Sequence, residues 1–127
     1  MNQRTGFIRY NAYTLVWALL IAMLVLLPGQ NLPKLADSIF SIDKLVHAFL
    51  FLGLTFLMIV GFIKQSAYSA LRNKARSYAF ILSISYAILV EVTQLLSPER
   101  MFETLDMVAN ISGVFGGFIL FFVLYKL

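Results

Sequence analysis

The sequence contains no cysteine, which excludes disulfides, thiolate metal sites and cysteine nucleophiles. Charge is scarce too. Only 13% of residues are charged and 61% are hydrophobic, whereas a soluble domain carries about 25% charged residues. A chain of 127 residues is enough for a single domain, 1–127, and a soluble domain of that size could not bury so much apolar surface in one core. Lipid is its natural solvent. The net charge of +4 does not point to nucleic acid, because the cations are sparse and border apolar runs, as the basic rim of a membrane protein does. There is no phosphate-cradling glycine loop, no G-x-S-x-G and no nucleotide fingerprint. No zinc-ligand spacing appears, and no cofactor or metal is expected.

What the chain does have is four apolar runs of spanning length, about 17–25 residues, at 10–27, 45–63, 78–96 and 107–125. None contains lysine or arginine. The first follows Arg4 and Arg9, as a signal peptide would. It is long, however, and ends in Leu27-Pro28-Gly29-Gln30 without a small-residue cleavage site, so it reads as an uncleaved helix. The fold expected is an all-α, four-helix transmembrane bundle with short loops. Pro28 and Pro33 stop the first helix. Segment 34–40 has the pattern of a short interfacial helix, with Leu35, Ile39 and Phe40 toward lipid. Ser97 before Pro98 suggests a helical turn in the last loop.

Orientation follows the lysine and arginine distribution. The N-terminus, the 64–77 loop and the C-terminus carry seven of these residues, against three on the other side. Both termini are therefore expected in the cytoplasm. The acidic residues Asp37, Asp43, Glu99, Glu103 and Asp106 all fall on the outer side.

Polar side chains collect at that outer face. Asp43 and His47 are four apart at the start of the second run, with Lys44 beside them. Glu91 and Gln94 are three apart near the end of the third, and Arg100 follows on the loop. Asp106 and Asn110 are four apart at the start of the fourth. Glu91 is the sharpest of these. It lies five residues before Leu96, about 7.5 Å inside the run at 1.5 Å per residue. A carboxylate near mid-bilayer costs about 2.5–3.5 kcal/mol and normally faces the bundle with a partner. Lys44, His47 and Arg100 are the available partners. Bland roles exist for the rest. Asp43 and Asp106 suit helix N-termini, Arg100 suits a snorkelling contact, and Asn110 suits an interhelical amide bond. Gly113 and Gly117 form a GxxxG, which lets a helix of the same chain, or a second copy in a homo-oligomer, approach closely.

Asp43-Lys44-x-x-His47-x-x-x-Phe51 resembles the first signature of VanZ-like membrane proteins. Glu91-x-x-Gln94-x-x-x-Pro98-x-Arg100, then Asp106-x-x-x-Asn110-x-x-Gly113-x-x-x-Gly117, resembles the second. The resemblance implies a four-helix, multi-pass protein of the bacterial cytoplasmic membrane and cell envelope, in a family named for a protein linked to teicoplanin resistance. It carries over the motif residues Asp43, Lys44, His47, Glu91, Gln94, Arg100, Asp106 and Asn110, without a role for each.

Three functions compete. The first is a binding site for a lipid headgroup, a lipid-linked cell-wall intermediate or an amphiphilic glycopeptide, with Lys44 and Arg100 holding its anionic group. The second is an enzyme on a lipid substrate, in which His47 or Glu91 acts as general base or acid and Asp43 orients His47. The third is a structural or partner-binding protein whose polar set only locks the helices. A transporter is disfavoured, because no inverted repeat shows.

Overall fold

The computed structural model describes residues 3–25, 42–96 and 104–125. The helices are α1 (Gln3–Val25), α2 (Ile42–Lys64), α3 (Ser69–Asn73), α4 (Ala75–Gln94) and α5 (Thr104–Tyr125). Four of them, α1, α2, α4 and α5, are long and apolar enough to cross a membrane. They match the four expected runs, and among the described residues there is no strand. The boundaries shift for local reasons. α1 starts at Gln3, well before the apolar run, because no proline separates Arg4 and Arg9 from it and the single Gly6 costs only about 1 kcal/mol. α4 ends at Gln94, so Glu91 sits in its last turn rather than deeper. The 64–77 loop holds the short helix α3, which hydropathy alone did not reveal. The 34–40 segment and the turn at Ser97 and Pro98 lie outside the described residues.

α2 is the hub. It packs on α1, α4 and α5, most extensively on α5, while α1 and α4 touch only briefly. Half of the α2 span is buried (50%), against 22% for α1, so α1 is the peripheral helix. Between helices in lipid there is no hydrophobic drive to associate, since the tails are as apolar as leucine; close packing and hydrogen bonds must serve instead. The α2–α5 pair shows how. Gly113 lies against the backbone of Ala48, and Gly117 against the Leu52 carbonyl and the Thr55 side chain. A Cβ at either glycine would collide with main chain. The GxxxG surface is therefore filled by α2 of the same chain, and a second copy would have to use another face.

α1 lies antiparallel on α2. Tyr10 and Asn11 oppose Gly61, and the Trp17 indole sits against Gly53. Trp17 Nε1 donates to the Leu50 carbonyl at 2.7 Å, and Tyr86 OH of α4 donates to the Ala18 carbonyl at 2.6 Å. Gln65, fully buried, closes the turn after α2: its Nε2 donates to the Phe62 and Tyr68 carbonyls and its Oε1 accepts from Tyr68 N–H.

Candidate functional site

α2 and α5 run parallel, so their first turns stand at one level. Successive residues then meet in rungs: Lys44 with Asp106, His47 with Asn110, Ala48 with Gly113 and Leu52 with Gly117. The outer rungs are polar and the inner ones are close-packed. α4 runs the opposite way, so its final turn delivers Glu91 to the level of the polar rungs.

Lys44 Nζ donates to Asp106 Oδ1 at 2.9 Å, in an ion pair whose side chains are 14% and 9% exposed. Deeper in, Asn110 Nδ2 donates to Glu91 Oε1 at 3.0 Å, and Asn110 Oδ1 lies 2.9 Å from His47 Nδ1. Glu91 and Asn110 are both fully buried and His47 nearly so. This geometry fixes a proton. Asn110 gives its NH₂ to Glu91 Oε1, which leaves Asn110 Oδ1 toward the imidazole. The amide oxygen only accepts in turn, so His47 Nδ1 must carry the hydrogen. In the neutral ring Nε2 is then the basic nitrogen. Three helices are joined by one hydrogen-bond chain, Glu91 to Asn110 to His47.

Five of the sequence-predicted site residues thus converge: Lys44, His47, Glu91, Asp106 and Asn110. Two of the pairings are ones that the spacing did not suggest. Asn110, which read as simple interhelical glue, is the link between the histidine and the carboxylate. It also meets the His47 ring at Nδ1. Lys44 reaches Asp106. Gln94 is buried near this end, but its Nε2 donates to the Val25 carbonyl at 3.3 Å and so closes the end of α1. Asp43 lies in the first turn of α2 with its side chain outside the described residues, and Arg100 lies outside them altogether. Among the described residues, no three histidine, aspartate, glutamate or cysteine side chains are grouped to hold a metal ion.

The rim of this end is apolar. Leu45 and Phe49 on α2, and Leu105 and Val108 on α5, are all largely exposed. A buried polar centre and an exposed apolar flank share one depth.

A family model described as VanZ/LLP1 matches residues 6–125. No curated protein and no solved structure matches the chain.

Proposed function

The chain belongs to the VanZ/LLP1 family, and on that footing we propose that its polar end is a headgroup site for a membrane amphiphile. The candidate ligands are a lipid, a lipid-linked cell-wall intermediate or a lipid-tailed glycopeptide such as teicoplanin. The observation that carries the reading is the Glu91–Asn110–His47 chain. A bundle that needs only cohesion gains about 0.6 kcal/mol from an interhelical polar bond; it does not need a buried carboxylate that selects one histidine tautomer. A hydroxyl or ammonium group of a headgroup is a donor of the kind that a carboxylate, amide and imidazole set accepts. Arg100 on the following loop, and Lys44 if it exchanged Asp106 for the ligand, would be the cationic partners for its phosphate or carboxylate. The tail would lie along Leu45, Phe49 and Val108.

The same tautomer supports a second reading, catalysis on the bound lipid. Nε2 would be the general base, with Glu91 stabilising the imidazolium through Asn110. Turnover of a bound lipid in a purified preparation separates the two readings.

In the expected orientation this site faces outward from the bacterial cytoplasmic membrane, with both termini inside. Reporter fusions at Leu127 and within the 64–77 loop should read cytoplasmic; an external reading at either place overturns the orientation. The site itself is tested by native mass spectrometry of purified protein offered phospholipids, a lipid-linked cell-wall intermediate and teicoplanin. Wild type should retain one of these, and His47→Ala should release it while still folding. Equal retention by both proteins defeats the proposal.

A further inference from the structure

The opposite half of the bundle carries a second feature, between α1 and α2. Arg9, Ala12, Tyr13, Val16 and Trp17 of α1, with Leu57 of α2, line an open groove of about 670 Å³. Ligand sites span about 300–1,000 Å³. Small Ala12 gives the groove depth. Its wall is held in place, because the Trp17 indole rests on Gly53 and its N–H is tied to the Leu50 carbonyl.

The lining is apolar except at one end, where the exposed Arg9 makes no ion pair among the described residues. Its neighbours Tyr10 and Asn11 oppose Gly61, less than one turn before Lys64 ends α2. The guanidinium therefore stands at headgroup level on the side of the termini. Val16 and Trp17 are seven and eight residues further along, which places them about 12 Å deeper. Half of a hydrocarbon core about 30 Å thick is about 15 Å, so the groove has the length that one leaflet offers an acyl chain. The charge of the surroundings sets the headgroup class. From Lys44 to Val90 the chain has four further cations, Lys64, Arg72, Lys74 and Arg76, and no acidic residue.

We propose that this groove binds one anionic phospholipid of the terminus-side leaflet, with its phosphate on Arg9 and an acyl chain along Ala12, Val16 and Trp17. The arginine fork matches phosphate geometry, and the exposed Tyr13 belongs at the same interface. The site shares no residue with the polar end and does not depend on its reading.

The test uses the full chain in detergent, with phosphatidylglycerol or phosphatidylcholine added and bound lipid counted by native mass spectrometry. Wild type should hold one phosphatidylglycerol in preference to phosphatidylcholine. Arg9→Gln, a surface change that leaves packing intact, should weaken phosphatidylglycerol about tenfold, the worth of one charge-assisted contact, and leave phosphatidylcholine unchanged. Ala12→Phe, which fills the groove, should displace both lipids. His47→Ala should change neither. If Arg9→Gln keeps the full preference, Arg9 only snorkels to the interface and the inference falls. It falls equally if His47→Ala, rather than Arg9→Gln, releases the lipid.

Discussion

At the terminus-side end, the helices meet through rings. Phe56 of α2 meets Phe121 and Tyr125 of α5 with centroids 6.5 and 6.3 Å apart, Phe80 of α4 meets Phe118 of α5 at 5.8 Å, and Arg76 of α4 lies 5.1 Å over the Phe122 ring. At the other end, the same helices α2, α4 and α5 meet through Lys44–Asp106 and His47–Asn110–Glu91. The first end uses contacts that any lipid-embedded bundle can make. The second desolvates charges, which costs several kcal/mol per ion before pairing repays it. Between them, the Gly113 and Gly117 contacts bring two backbones together, and neither end could hold its geometry without that seam. The comparison separates what assembles the bundle from what the assembled bundle presents.

The largest effect should come from widening the seam. In Gly117→Leu the new Cβ would meet the Leu52 carbonyl, main chain that cannot rotate away. Overpacking ordinarily costs about 1–3 kcal/mol; here the cost should reach the top of that range or exceed it, a large share of a total near 5–15 kcal/mol. Thermal melting in detergent should drop steeply or the protein fail to accumulate. The neighbouring Gly116→Ala is the control. Its Cβ would meet only the Leu52 Cδ1 methyl, at 3.2 Å, which can shift, so melting should stay close to wild type. Equal damage at Gly116 and Gly117 would mean that the seam is not the determinant.

Asn110→Ala should rank next. It leaves α5 able to pack but strips partners from His47 Nδ1 and Glu91 Oε1 at once. Leaving a buried polar group short of a partner costs about 1–3 kcal/mol, so a loss of about 2 kcal/mol is expected, together with loss of bound amphiphile. Nitrogen NMR of the single histidine gives a sharper reading, because the wild-type ring should show Nδ1 protonated. A ring that keeps the same tautomer in Asn110→Ala would remove Asn110 from the positioning role.

How much of this was legible in the sequence divides along the same line. The four spans were plain because apolar length is a local property. That Asp106 and Asn110 would stand beside Lys44 and His47 followed from both pairs opening a span on the same side. The part played by Asn110 was not legible. Glu91 had Lys44, His47 and Arg100 as evident counter-charges, and the neutral Asn110, which the fold also sets against it, carries no charge to mark it. Which residue faces which depends on the rotation of α4 about its own axis, and that is set by packing along its whole length. Trp17 was hidden for a related reason. Its acceptor, the Leu50 carbonyl, is main chain and leaves no trace in side-chain spacing. Gly113 and Gly117 announced a close contact, but a helix surface does not record whether its partner belongs to the same chain.

The smallest effect on stability should accompany a complete loss of function, in Glu91→Gln. The amide keeps the shape of the carboxylate, and its oxygen still accepts from Asn110 Nδ2, so the chain to His47 remains connected. What disappears is a buried negative charge, whose removal relieves a desolvation cost. If the polar end existed only to lock helices, losing that charge should weaken the lock, and melting temperature and yield should fall together. If the carboxylate is held there for a ligand, melting should stay level or rise while amphiphile binding disappears, because a neutral amide cannot balance a cationic headgroup. Melting temperature measured beside native mass spectrometry reads both quantities on one preparation. A Glu91→Gln protein that melts early yet binds normally when folded would return the polar end to the same structural role as the rings at the other.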